Sequence, residues 1–293
     1  MDVILTVGEV VTPVFILAAI GFVWVRAGWD YQIEFVTRLA MTLSIPCLIF
    51  VALTDTEIAP DALATLSIAT VAAYALVTGA MVLMVRIGGL DARTFLAPLI
   101  YGNTGNLGLP LALFAFGNEG LGYAVVVFAI MAIYSFTLGI WMVAGRGSLN
   151  KALREPLVWA TLLGALFLWR GWTLPTVVEN TLDLIGQLAI PLMLITLGVA
   201  VARLNPRSFT LPVLLSLAKV VICVAIGWGV GVAFDLPPSA FAVLVVQLST
   251  PVAVTSYLLA QKYGADAEAV AGLVVVSTAL SIATLPLTLA FVI

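Results

Sequence analysis

Histidine is absent from this chain of 293 residues, cysteine occurs twice, and only 9% of the residues are charged. The lack of histidine removes the commonest metal ligand and the commonest general acid–base. Cys47 and Cys223 both lie inside apolar runs, so neither a disulfide framework nor a zinc site can be read from them. No metal and no cofactor are expected. An ordinary soluble domain is about 25% charged, so the scarcity of charge excludes a water-soluble globule of this length. Twelve Lys+Arg against fifteen Asp+Glu leave a net charge of −3, too small and too scattered for nucleic-acid binding. No Walker motif, nucleophile–base pair or metal cluster is visible, so neither direct ATP use nor an enzyme is expected. The opening Met1-Asp2-Val3-Ile4-Leu5 lacks the basic segment of a signal peptide. What fills the chain instead is hydrophobic residues, at 63%.

A helix crosses a bilayer core of roughly 30 Å with about 20 mostly apolar residues. Charged residues divide the sequence into ten such candidates: Val10–Val25, Leu39–Thr54, Ala62–Val85, Thr94–Asn118, Gly120–Gly145, Pro156–Trp169, Leu184–Ala202, Ser208–Ala233, Leu236–Gln261 and Ala269–Ile293. The eighth is interrupted only by Lys219. All ten are expected to be helices, because backbone in lipid must satisfy its own hydrogen bonds. The first, second and sixth are short and need interfacial residues to complete them. Alternate loops hold Arg26, Arg38, Arg86, Arg93, Arg146, Lys151, Arg154, Arg203, Arg207 and Lys262, whereas the opposite set holds only Arg170. Basic residues favour the cytoplasmic side, so both termini are expected outside a bacterial inner membrane that the chain crosses many times.

Ten spans divide into five and five, and an odd number per half inserts the second half upside down. The expected units are residues 1–147 and an inverted repeat, 148–293. Leu43-Ser44-Ile45-Pro46 reads like Leu188-Ala189-Ile190-Pro191, Pro110 pairs with Pro251, and Gly117 pairs with Gly264, in the same order in both halves. The fourth candidate span carries Pro98-Leu99-Ile100-Tyr101-Gly102-Asn103-Thr104-Gly105-Asn106-Leu107-Gly108-Leu109-Pro110. Glycine costs about 1 kcal/mol in a helix interior and proline about 3, and Pro110 removes a backbone donor. The helix is therefore expected to unwind here at mid-membrane depth, which lipid does not tolerate unless protein or a watery cavity surrounds it. Gln247-Leu248-Ser249-Thr250-Pro251 repeats the device more mildly in the ninth span. Corresponding interruptions in two halves mark a transporter's binding site; the bland alternative is a packing seam of small residues.

The run Tyr101–Gly117 closely resembles the first crossover segment of the auxin efflux carrier family, which includes plant auxin exporters and bacterial malate- and malonate-permease-like proteins. Thr250–Gly264 resembles its second crossover, and the similarity extends over the whole chain. The resemblance implies an all-α integral membrane fold of ten helices in two inverted five-helix repeats, with broken fourth and ninth helices that cross. It also implies a substrate carboxylate held where Asn103, Asn106, Gln247 and Pro251 converge. The full candidate binding set adds Thr104, Gly105 and Pro110 from the first crossover, Ser249 and Thr250 from the second, and Lys219. Only Arg146–Glu155 separates the fifth and sixth spans, unlike the long-loop plant members.

Neither crossover span contains an acidic residue. Sites for desolvated cations need carboxylates, whereas amides, hydroxyls, free N–H groups and half-helix N-termini suit an anion. The expected function is secondary transport of a small organic mono- or dicarboxylate by alternating access; a sodium-coupled organic-anion symporter of the bile-acid type is the alternative. Coupling to a proton, to sodium or to neither stays open, and so does a homodimer. Lys219 is the only full charge deep in an apolar span. At about 1.5 Å per residue it lies roughly 16 Å beyond Ser208. Insertion of a central lysine costs about 2.5–3.5 kcal/mol, so it needs an outlet or a partner. Three roles are open: substrate attraction or proton coupling, capping of carbonyls freed at a crossover, or snorkelling to the surface.

Overall fold

The computed structural model describes residues 3–55, 58–144, 156–204 and 209–293. Among these, regular structure is helical throughout, apart from one isolated antiparallel bridge between Gly102 and Val252. The helices are α1 (Val3–Arg26), α2 (Ile33–Leu39), α3 (Ile45–Thr54), α4 (Pro60–Ile87), α5 (Ala92–Ile100), α6 (Leu109–Tyr134), α7 (Ile140–Ala144), α8 (Pro156–Arg170), α9 (Thr176–Gly186), α10 (Ala189–Arg203), α11 (Thr210–Ala233), α12 (Pro238–Ser249), α13 (Val254–Tyr263) and α14 (Ala267–Val292). Three wider π-type turns, Ala40–Ser44, Thr104–Gly108 and Ser135–Gly139, join consecutive helices. The 147/148 division and the basic residues Arg146, Lys151, Arg154 and Arg207 lie outside the described residues.

Seven helical runs are long and apolar enough to cross a membrane, by length and composition, among the described residues. The count falls below the ten charge-free stretches because several of those are not single long helices. The fourth and ninth are divided into shorter pieces, and α8, the sixth, has only 15 residues. The longest run, Thr104–Val143, is not straight. Gly117 sits at φ 64°, ψ −155° inside α6, a left-handed conformation open to glycine at little steric cost. A Cβ on Gly120 would lie 2.7 Å from the Ala112 carbonyl oxygen, eight residues earlier, whereas a straight helix separates such residues by about 12 Å. The chain therefore folds back at Gly117, and the Arg93 side chain at the start of α5 donates to the Val143 carbonyl at 3.2 Å.

Packing sorts the helices into two groups. In one, α1 packs along α10, and α3 along α8 and α9. The α1–α10 seam is close: a Cβ on Gly21 would overlap the Ile195 carbonyl, and one on Gly198 the Ala18 carbonyl. Arg203 donates to the Tyr31 carbonyl at 2.6 Å and tethers the α1–α2 connection to the end of α10. In the other group, α4, α5, α6 and α7 pack with α11, α12, α13 and α14. Arg93 also reaches the Tyr263 carbonyl at 3.2 Å, and the Asp266 amide donates to the Thr94 hydroxyl at 3.3 Å. These bonds gather the start of α5 and the ends of α7 and α13 at one end of the group. Asp91 caps α5 by accepting from the Thr94 amide at 3.0 Å, satisfying a donor that the first helical turn leaves free. Large apolar side chains such as Ile87, Trp141, Trp169 and Leu214 stand exposed around the outside. With the apolar helix lengths, they make this a multi-pass membrane protein.

Candidate functional site

The two interrupted helical paths meet at their interruptions. After Ile100, residues Tyr101–Asn103 leave helical geometry, and after Ser249, residues Thr250–Ala253 do the same. The freed backbone groups find one another: the Asn103 amide donates to the Pro251 carbonyl at 2.7 Å, and the Ala253 amide to the Tyr101 carbonyl at 3.4 Å. The Val252 amide is taken by the Ser277 hydroxyl of α14 at 3.0 Å. A buried backbone donor without a partner is rare in native structures, and this small antiparallel cross-link is how the chain holds two unwound segments inside an apolar interior. Backbones approach this closely because a Cβ on Gly102 would overlap the Thr250 hydroxyl.

The first interruption is narrower than the sequence implies. Unwinding is confined to Tyr101–Asn103, and the glycine-rich stretch that follows is a π-type turn leading directly into α6. Pro110 stands where the π-type turn passes into α6, one residue after the Leu109 amide that still reaches back to the Thr104 carbonyl; its missing donor costs one bond there, but the helical path continues through it. Its partner in the sequence comparison, Pro251, sits within the second interruption, so the two prolines do different work. Gly117 and Gly264 both adopt positive φ, 64° and 70°, with different ψ, −155° and 31°, and each ends the helical piece after an interruption. The Leu43–Pro46 and Leu188–Pro191 motifs each overlap a local irregularity, the π-type turn Ala40–Ser44 and the turn before α10, and the Gly186 position lies against the Leu48 backbone where these elements pack.

The sequence-selected residues collect around this crossing. Asn103 and Thr104 are buried, and the Asn103 Nδ2 and Thr104 Oγ1 atoms have no hydrogen-bond partner. Gln247 is fully buried on the last turn of α12, and neither its Oε1 nor its Nε2 is paired. Its carboxamide lies against Gly108, where a Cβ would overlap Oε1 and stand 2.7 Å from Cδ. Asn106 is partly exposed. A Cβ on Gly105 would lie 2.9 Å from the Phe128 ring and 3.6 Å from the Met193 methyl. The second-crossover hydroxyls are already engaged: Ser249 donates to the Val246 carbonyl and Thr250 to the Gln247 carbonyl, at 2.8 and 2.7 Å. Lys219, 1% exposed, donates from Nζ to the Thr250 carbonyl at 2.7 Å. Among its three expected roles, this is the capping contact; the head group turns inward rather than toward the surface.

A cleft of about 300 Å³ opens between the two helix groups, lined by Leu48, Val51 and Asp55 on α3 and its end, Leu113 and Phe114 on α6, and Ile190 on α10. Ile190 and Met193 are one turn apart on the same helix face, so the cleft floor lies one turn from the Gly105–Met193 contact. Asp55, Asp183, Gln187 and Asn118 add polar groups to its lining. Burial pushes the Asp55 carboxyl above the usual carboxylate range, the Thr54 hydroxyl pulls it back, and the negative charge of Asp183 adds to the rise. Ser277 and the cleft carboxylates carry no sequence signal of their own. A single serine in an apolar span, or an acid just beyond one, is ordinary until the fold places it.

An all-helical, multi-pass membrane protein with two interrupted helices cross-linked at a buried polar centre has the architecture of a transporter. The chain belongs to the membrane transport protein family, the auxin efflux carriers, whose family model matches it twice, over residues 6–152 and 148–289. It is 27% identical over 298 residues to an uncharacterized transporter of Methanothermobacter thermautotrophicus, covering 95% of this chain and 96% of the relative. An uncharacterized transporter of Methanocaldococcus jannaschii is 26% identical over 69% of this chain and 67% of its own. A protein of Rhizobium meliloti named "Putative malonate transporter" is 27% identical over 63% of this chain and 62% of its own.

Proposed function

We propose that the protein is a secondary transporter of a small organic anion, a mono- or dicarboxylate of malonate or malate type, which binds at the crossing and is exposed alternately to the two sides. The observation that carries this is the set of unpaired, uncharged polar atoms there: Asn103 Nδ2, Thr104 Oγ1 and both carboxamide atoms of Gln247. A buried polar group without a partner costs about 1–3 kcal/mol, and several at one place fit a site that a ligand completes. The segments from Ala92 to Asn118 and from Pro238 to Tyr263 hold no carboxylate, so nothing at the crossing repels an anion, and helix N-termini at Thr104 and Val254 favour one. The name of the Rhizobium meliloti relative accords with a dicarboxylate.

In this proposal the chain comprises ten spans in two inverted five-helix repeats, with both termini outside a bacterial inner membrane. The double match of the family model, the positive-φ glycines closing each interrupted path and the uneven distribution of basic residues support it. The group containing α4–α7 and α11–α14 carries the crossing and moves against the group containing α1, α3 and α8–α10. The cleft between them is the access route, and the Asp55 and Asp183 carboxylates at its lining set an electrostatic threshold for an entering anion. Equilibrium binding of a mono- and dicarboxylate panel to the purified protein tests the substrate class. Saturable binding of at least one short carboxylate, and of no comparable organic cation, is expected. Selective binding of cations or of uncharged solutes alone would overturn the proposal.

A further inference from the structure

Among the carbonyls freed at the second interruption, that of Thr250 accepts from no backbone amide. The chain ends α12 at Ser249, and the neighbouring groups are already paired: the Pro251 carbonyl with the Asn103 amide, the Val252 amide with the Ser277 hydroxyl, and the Ala253 amide with the Tyr101 carbonyl. The Thr250 carbonyl receives the Lys219 ammonium instead, at 2.7 Å, from a side chain that is 1% exposed. No residue between Thr210 and Tyr263 carries a carboxylate other than Asp235, which lies in the turn beyond α11. The Lys219 head group thus rests on backbone oxygen at the crossing itself. Ser216, one turn earlier on the same helix face, is buried with an unpaired hydroxyl oxygen.

A freed carbonyl oxygen, with a buried hydroxyl on the helix that carries Lys219, is the ligand type that a small hard cation takes. We propose that the Lys219 ammonium is a tethered substitute for a coupling cation: it fills the position that a sodium ion would otherwise occupy beside the second crossover. The protein therefore needs no sodium, and removing the ammonium creates a sodium site bounded by the Thr250 carbonyl and the Ser216 hydroxyl. This inference rests on the crossing being the transport site, but its test needs no substrate. It can therefore fail while the carboxylate proposal stands, and the reverse.

The experiment is thermal unfolding of purified wild type and Lys219→Ala in sodium, potassium and choline chloride at equal ionic strength. Wild type is expected to unfold at the same temperature in all three. Lys219→Ala is expected to unfold earlier than wild type in choline and to gain stability saturably and selectively with sodium. The gain should be roughly 3 °C at a concentration ten times the Kd. Lys219→Ser, which supplies a further oxygen, should respond to sodium at lower concentration; recovery of folded Lys219→Ala or Lys219→Ser only in sodium would support the proposal equally. A saturable sodium response of wild type would overturn it, because a separate cation site would then exist. So would folded variants blind to the cation, or failure of both variants to fold even in sodium.

Discussion

Gly108→Ala separates packing at the crossing from ordinary helix propensity. Gly108 has helical dihedral angles, φ −69° and ψ −43°, so alanine there should by itself gain about 1 kcal/mol. The added Cβ, however, would overlap the Gln247 Oε1 and lie 2.7 Å from Cδ and 3.0 Å from Nε2. Gln247 is fully buried against the apolar interior of α12, so its carboxamide has to move or the two segments have to separate. Overpacking of this kind costs about 1–3 kcal/mol. The two effects oppose each other, and we expect the overlap to win by about 1 kcal/mol, lowering the unfolding temperature by roughly 2–4 °C. Displacing the carboxamide should also weaken carboxylate binding about tenfold, the equivalent of one lost charge-assisted hydrogen bond. The assay is a double-mutant cycle with Gln247→Ala, read by thermal unfolding. Truncating Gln247 makes room for the methyl group, so Gly108→Ala should be neutral or stabilising in that background, with a coupling of at least about 1 kcal/mol. Additive effects, or a stabilised single variant with unchanged affinity, would refute the reasoning.

Ser277→Ala should leave the Val252 amide without an acceptor and cost about 1–3 kcal/mol by thermal unfolding; a loss below 0.5 kcal/mol, an arbitrary limit of roughly the size of surface substitutions, would mean that the amide finds another partner. Asp91→Ala should cost about 1 kcal/mol at neutral pH through loss of the α5 cap. The Thr94 hydroxyl holds the Asp91 carboxyl below its ordinary value; burial opposes it, and the Arg93 and Thr94 amides and the Arg93 charge add to the lowering. Its contribution is therefore present above the unfolded value, about 3.9, and is lost as pH falls through the lower folded value. The gap between wild type and variant, followed by unfolding across pH, should close only in strong acid. In a background without Cys47 and Cys223, cysteine at Arg86 should be labelled from the cytoplasmic side and cysteine at Glu119 from the outside of intact cells; the opposite pattern would invert the proposed topology.

The membrane class, the approximate place of both interruptions and the turn at Gly117 are legible in the sequence because each depends on local chemistry: apolar length, clustered glycine and proline, and a residue free to adopt positive φ. The width of the first interruption is not legible. Pro110 reads as a break because proline inside a helix removes a bond, yet the helical path runs from the π-type turn through Pro110 into α6 without unwinding. Gln247 and Asn103 are identifiable as amides in apolar spans, yet only the fold shows that the Asn103 Nδ2 and both Gln247 carboxamide atoms remain unpaired while the Ser249 and Thr250 hydroxyls are already donating to their own helix. Lys219 announces its need for a partner by its charge, and the partner is a carbonyl contributed by another helix, invisible until the second interruption is formed. Ser277 falls in the same category, since one hydroxyl in the apolar run of α14 looks like any other.

Uptake of labelled malonate into liposomes containing the purified protein, compared between wild type and Asn106→Ala, tests the central claim most directly. Saturable uptake by wild type is predicted, with a KM roughly ten- to a hundredfold higher in Asn106→Ala and an unchanged unfolding temperature, as expected when a hydrogen bond to a charged group is lost. Wild-type KM and rate in the variant would contradict a carboxylate site at the crossing, and so would the absence of uptake for malonate and every other short carboxylate.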